Sequence, residues 1–152
     1  MDLCRFTGYK MVRFSVGTRV EVMGHSDGFL NSYFDATVIC DDQDKVFVRY
    51  EELIDDDGEK LEEQVKIEHI RLYPSKVEQK LNEGDDVDAF DGAGWWRGMV
   101  VLECRQDLVV YFSYMTQTNE RHHTYGIDDV RIHQECLDIG GANAWLYLKV
   151  EP

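Results

Sequence analysis

Two aromatic pairs stand where a cation can be held. Trp95 and Trp96 are adjacent in a run that begins Asp91-Gly92-Ala93-Gly94, and Tyr33-Phe34 hold the same place in an earlier run that begins Asp27-Gly28. Each run sets a Gly-containing turn, the aromatic pair, a spacer, a small residue (Ala36 or Gly98) and a Val (Val38 or Val100). The face of an aromatic ring is electronegative and attracts a cation above it, by about 0.5–2 kcal/mol for a good contact. Carboxylates nearby add Coulomb attraction. The chemistry open to these residues is the holding of something basic.

Bond-making chemistry is not indicated. There is no Gly-x-x-x-x-Gly-Lys-Ser/Thr phosphate loop, no Gly-x-Ser-x-Gly elbow and no His-Glu-x-x-His zinc pattern. His133, Glu135 and Cys136 lie close in sequence, but the second half of a metal-ligand set is missing, so a structural role is expected. Cys4, Cys40, Cys104 and Cys136 are widely spaced, with no Cys-x-x-Cys pair. Free, buried thiols in a reduced intracellular compartment are the expectation. No cofactor, no metal and no catalysis are expected. No long apolar run suggests a membrane segment.

The charge points the same way as the rings. The formal net charge is −14. Residues 10–73 hold eight basic and fifteen acidic side chains, and residues 82–136 hold four and eleven, so each half carries −7. Such a field repels a nucleic-acid backbone and draws in basic ligands. Acidity also keeps a protein soluble, which is the plain alternative for any single carboxylate. Imidazole in general titrates near neutrality, and His122-His123 or His25 would oppose a cationic ligand when protonated, unless they are simply solvated loop residues.

The elements that must position these groups repeat at an offset of about sixty residues. Val20-Glu21-Val22 matches Val87-Asp88-Ala89, each after a Gly (Gly17, Gly84). Residues 33–38 match 95–100, residues 46–50 match 108–112, and residues 68–72 match 128–132. The segments are short, rich in β-branched and aromatic residues, and bounded by Gly, Asn or Asp, which is the signature of strands. In residues 18–23, Val20 and Val22 share one face and Arg19 and Glu21 the other. Five short strands per copy imply a small, strongly bent barrel. Residues 73–81, with Pro74 near the start, read as a short helix or a linker. Modules of about sixty residues are marginal alone, so the two are expected to pack together.

The ordered set Gly17-Thr18-Arg19-Val20-Glu21-Val22, residues 28–38, Val48-Arg49-Tyr50, Glu63, Ile70 to Pro74, Val87 to Phe90, Trp95-Trp96 and Val130 to Gln134 resembles a tandem Agenet cassette. Agenet is the plant branch of the Tudor-like "Royal" superfamily of chromatin readers. The resemblance covers residues 14–145. It implies a mainly all-β chain: a first barrel over residues 10–75, a linker over 76–82, a second barrel over 83–145, and at most short helices. It further implies nuclear location, a methylated-lysine histone H3 tail as partner, and in particular the dimethylated ninth-residue lysine, a heterochromatin mark linked to gene silencing. Two positions depart from the family pattern: Tyr33-Phe34 replaces Trp-Phe, and Gly98 replaces Ala.

In Tudor-like barrels the cage rings come from the first loop and from the starts of the second and third strands. By resemblance these are Phe29, Tyr33 or Phe34, and Tyr50, with Asp27 as the nearby acid. Strand parity puts Phe34 with Ala36 and Val38 on one face and Tyr33 with Asp35 and Thr37 on the other. Ala36 and Val38 look interior, so Phe34 reads as core and Tyr33 as cage; a bulge beside Ser32 would reverse this. In the second copy, Trp95, Tyr111, Phe112 and Tyr114 either form a second cage or contact the peptide, although Gly92-Ala93-Gly94 leaves one wall without a ring. Glu51, Glu52, Asp85, Asp86 and Asp88 are the expected contacts for basic residues flanking the methyl-lysine. The alternative function is an acidic scaffold that binds basic or methyl-arginine peptides regardless of lysine methylation.

Overall fold

The computed structural model describes residues 14–24, 28–42, 45–113, 121–139, 142–147 and 149. Its first unit comprises β1 (Arg19–Met23), β2 (Ser32–Asp42), β3 (Lys45–Ile54), β4 (Lys60–Lys66) and β5 (Ile70–Leu72). The second comprises β6 (Asp86–Asp91), β7 (Gly94–Cys104), β8 (Asp107–Tyr111), β9 (His122–Gly126) and β10 (Val130–Ile132). A hairpin, β11 (Glu135–Ile139) with β12 (Ala142–Leu146), follows. The helical content among the described residues is two short 3₁₀ turns, Ile67–His69 and Ile127–Asp129, each leading into the last strand of its unit.

Both units have the same antiparallel path: β5-β1-β2-β3-β4 and β10-β6-β7-β8-β9. The repeat extends to fine detail. Gly17 N–H donates to the Val38 carbonyl at 2.8 Å, and Gly84 N–H to the Val100 carbonyl at 2.7 Å. The β2–β3 ladder slips after Val38 and the β7–β8 ladder after Val100, so a bulge recurs at the matched position. Such a bulge bends the strand and sharpens its twist, which is how a short sheet wraps around its own core. Val20, Val22, Ala36, Val38, Val46 and Val48 fill the first interior, and Val87, Ala89, Val100, Val110 and Phe112 the second. Past the first bulge the facing changes, and Cys40 is exposed; Cys104 is exposed too and Cys136 half-buried, so these three thiols are not buried as expected, and Cys4 lies outside the described residues. Residues 73–81 form no regular element.

The two units share one ten-stranded sheet, because the start of β2 pairs with the start of β7, Ser32 opposite Trp96 and Tyr33 opposite Trp95. By the sequence repeat Tyr33 and Trp95 are equivalent residues. Their pairing therefore lies on a pseudo-twofold axis relating the units. This seam decides where the rings go.

Candidate functional site

At the open end of the first unit a hollow of about 280 Å³ is walled by Phe29, Phe34, Tyr50, Leu53, Leu61 and Glu63. Phe29 comes from the loop between β1 and β2. Its carbonyl accepts a hydrogen bond from the Ser32 hydroxyl, and Gly24 N–H donates to the Ser32 carbonyl at 2.9 Å, which ties the loop to the strand. A Cβ on Gly24 would lie 2.0 Å from the Phe29 carbonyl oxygen, so the loop can fold back only over a residue without a side chain. Phe34 begins β2, its centroid 6.1 Å from Phe29 and 6.5 Å from Tyr50, edge-on to the latter. Tyr50 sits on β3 opposite Ala36. Its hydroxyl donates to Glu63 Oε2 at 2.6 Å, and burial, then that hydrogen bond, raise its pKa. Three rings and one carboxylate thus converge on one small space, an arrangement suited to an alkylated ammonium.

Phe29 and Tyr50 both line the hollow, but Tyr33 does not; Phe34 takes its place. Phe34 does share the interior face with Ala36 and Val38, but the hollow is the mouth of that interior, so the first inward ring of β2 is the wall and Tyr33 is not. Tyr33 is 6% exposed and faces the seam, with the Arg71 guanidinium 3.8 Å above its ring and His133 beside it. Burial pushes its hydroxyl pKa up to about 12, against a lowering by Arg71. The acid of the hollow is Glu63, which parity could have found: Leu61, Glu63 and Val65 put one carboxylate on an apolar face. Asp27 lies outside the described residues.

Among the described residues, the second unit's named rings do not converge on one hollow. Trp95 lies against Phe90 with the Arg131 guanidinium 4.2 Å above its ring, and it lines a hollow of about 240 Å³ with Tyr73, Pro74 and Arg131 that neither Tyr111 nor Phe112 reaches. Phe112, the counterpart of Tyr50, is 2% exposed and packs edge-on to Tyr125. Tyr111 stacks with His122 and lines a separate trough of about 420 Å³ with Met99 and Ser113. Tyr114 lies outside the described residues, as does His25. The acidic residues also divide. Glu52 is exposed, and Glu51 is half-exposed but pairs with Lys60 at 3.1 Å, which holds its pKa down. Asp86 is tied to Arg97 at 2.6 Å. Asp85 and Asp88 are fully buried, the first by Lys149 and the Asn82 N–H, the second by Arg131 and His133. Those two are corrected from peptide contacts to structural acids, since a buried carboxylate must be paired internally.

The Agenet domain family model matches residues 17–75. Protein AGENET DOMAIN (AGD)-CONTAINING P1 of Arabidopsis thaliana is 34% identical over 128 residues, covering 82% of this chain and 24% of the relative. DUF724 domain-containing protein 3 of the same plant is 36% identical over 103 residues, covering 61% of this chain and 15% of the relative. The chain therefore spans a quarter or less of either relative's length. The crystal structure of Arabidopsis thaliana AGDP1 AGD34 is similar with a TM-score of 0.77 and 32% identity, covering 89% of this chain and 90% of that one. The chain belongs to the Agenet family. A second solved structure, ADCP1 tandem Agenet domain 3-4, has a TM-score of 0.70 and 31% identity over 86% of each chain, so the likeness extends over both units. This is a plant-type tandem Agenet, a reader-type domain of a class that generally carries no catalytic chemistry.

What holds the tandem Agenet together is a charge cluster in the seam. Glu21 of β1 is fully buried and accepts from Arg71 Nε at 3.0 Å and Nη2 at 2.8 Å, and from Arg131 Nη1 at 2.7 Å and Nη2 at 3.1 Å. Asp88, its repeat counterpart, takes Arg131 Nε at 3.0 Å and His133 Nδ1 at 2.7 Å. The symmetry also carries a charge swap: Arg19 pairs with Asp35 in the first unit, and Asp86 with Arg97 in the second, at matched positions. His133 Nε2 bonds Glu135 at 2.7 Å, so its ring is held between two carboxylates. Burial alone would lower its pKa, but the hydrogen bonds and charges of Asp88 and Glu135 outweigh burial and raise it. The folded state therefore binds this proton more tightly than the unfolded chain, whose imidazole titrates near 6.5. Its stabilising contribution is complete below that ordinary value and is lost as pH rises through the higher folded value. We expect thermal midpoints to fall as pH rises from the ordinary imidazole value through the higher folded one, and His133→Gln to flatten that slope. Equal slopes in both proteins would disprove the linkage.

Proposed function

We propose that this tandem Agenet reads a lysine-methylated histone H3 tail in the nucleus, with the methylammonium in the hollow of Phe29, Phe34, Tyr50 and Glu63. The observation that carries the reading is the convergence of three rings and a carboxylate at one mouth. A methylated ammonium keeps its charge but is poorly hydrated, so ring faces compete well with water for it. Glu63 already accepts from Tyr50, and its remaining lone pairs can take the N–H that mono- and dimethylammonium retain and trimethylammonium lacks. This favours lower methylation states over the trimethyl form. The tandem Agenet resemblance points to the ninth-residue lysine, dimethylated in heterochromatin. The exposed acid Glu52, on the same strand as Tyr50, supplies long-range attraction for a basic tail.

Calorimetric titration of H3-tail peptides carrying zero, one, two or three methyl groups on that lysine tests the reading. The expected order places the dimethyl peptide about tenfold or more ahead of the unmodified one, roughly 1.4 kcal/mol or more. Equal affinity for all four would reduce the protein to an acidic scaffold.

A further inference from the structure

We infer that the second unit, through Trp96 and Gly94, sets the angle of the rings in the first unit's cage; this rests on the methyl-lysine reading. Trp96 is the repeat counterpart of Phe34, and so is the ring from which the second unit would build a cage of its own. Instead its indole is buried across the seam, 6.2 Å from Phe29 at an interplanar angle of 33° and 6.4 Å from Phe34, edge-on at 81°. Two of the three cage rings thus have this indole behind them. Its Nε1–H donates to the Asp91 carbonyl at 3.3 Å, which fixes its rotation.

The strand register explains why the backing comes from the partner unit. Ser32 lies opposite Trp96 and Tyr33 opposite Trp95, and Arg97 N–H donates to the Asn31 carbonyl at 2.9 Å. The start of β7 therefore clamps residues 31–33, between Phe29 and Phe34. On the other side of Phe34 stands Gly94. A Cβ there would lie 2.8 Å from Phe34 Cδ1 and Cε1 and 3.0 Å from the Tyr33 carbonyl oxygen, so the ring keeps its place only because residue 94 has no side chain. Trp96 does not line the hollow and is a positioning residue: it acts on the ligand through Phe29 and Phe34. A ring that turns from face to edge loses its attraction for a cation, so loss of backing falls on methyl discrimination more than on general affinity.

The test uses the full chain with Trp96→Ala, Trp96→Phe and Gly94→Ala, and two readouts. The first is the affinity ratio for dimethylated against unmodified H3-tail peptide; the second is the aromatic carbon and proton shifts of Phe29 and Phe34 without peptide. Trp96→Ala and Gly94→Ala are each expected to reduce the ratio about tenfold and to move both rings' shifts, with affinity for unmodified peptide changing less than threefold. Trp96→Phe is expected to restore most of both. Unmoved ring shifts, or a ratio unchanged in Gly94→Ala, would overturn the inference. A wild-type chain with no methyl preference would instead overturn the methyl-lysine reading, and the ring shifts would still decide whether the second unit sets the rings. Should Trp96→Ala fail to fold, Gly94→Ala and Trp96→Phe carry the decision.

Discussion

Glu21→Ala is expected to lower the unfolding free energy by about 3–5 kcal/mol, more than any other single substitution of a charged residue among those described. The cost comes from the asymmetry of charge burial. Glu21 is fully shielded and receives four N–H groups, two each from Arg71 and Arg131. Its removal leaves Arg131 with Asp88, which also bonds His133, and leaves the Arg71 guanidinium with the Gln134 carbonyl. An uncompensated buried cation costs several kcal/mol, because little water can reach it. The same substitution at Asp35 gives the contrast. Asp35 also holds an arginine, but Arg19 is 57% exposed and recovers water when released, so about 0–1 kcal/mol is expected. Urea unfolding of both variants decides the matter. A Glu21→Ala cost below that of Asp35→Ala would mean that the cluster contributes nothing to joining the units. Because Arg71 and Arg131 come from different units, the variant is also expected to split one cooperative transition into two.

How much of this was legible in the sequence follows from what alternation can and cannot say. A strand's period of two separates its faces and put Val20 and Val22 on one of them, while the repeat matched four segments of each unit and left β4 and β9 unmatched. It says nothing about what covers the outer face. Glu21 falls simply on the face opposite the valines, and Asp88 reads as a peptide contact, because their cover, the other unit, is set by pairing over more than sixty residues. The two arginines carried a weak signal, since Arg71 and Arg131 occupy matched places in the repeat beside apolar residues. Asp85 was misread for the same reason as Asp88; its cation, Lys149, is sixty-four residues away. The β11–β12 hairpin was absorbed into the second unit, as its strands carry no alternation distinguishable from the barrel's own. Glu63 was present as a family residue, yet its role needed the hydroxyl of Tyr50, two ladder steps away in space and thirteen in sequence.

The sharpest remaining distinction is between neighbours, Tyr33 and Phe34, and it predicts opposite outcomes from the same change. Phe34→Leu retains an apolar side chain of similar size at the mouth, so the expected loss of stability is below about 1.5 kcal/mol. It removes a ring face from the hollow, worth about 0.5–2 kcal/mol, and leaves Phe29 without its neighbour. Methyl preference should therefore fall by a factor of about 2–30. Tyr33→Leu does the reverse. It strips the ring from beneath the Arg71 guanidinium and from beside His133, in the seam where Arg71 also holds Glu21 and the Gln134 carbonyl. That loss is expected to reduce stability by about 2–3 kcal/mol while the affinity ratio for dimethylated over unmodified peptide stays within about twofold of wild type. Chemical denaturation and peptide titration on the two variants measure all four quantities. If Tyr33→Leu abolished methyl preference in a chain still folded at the assay temperature, the hollow would have to be redrawn with Tyr33 as a wall, and the seam could not be the reason that this residue is aromatic.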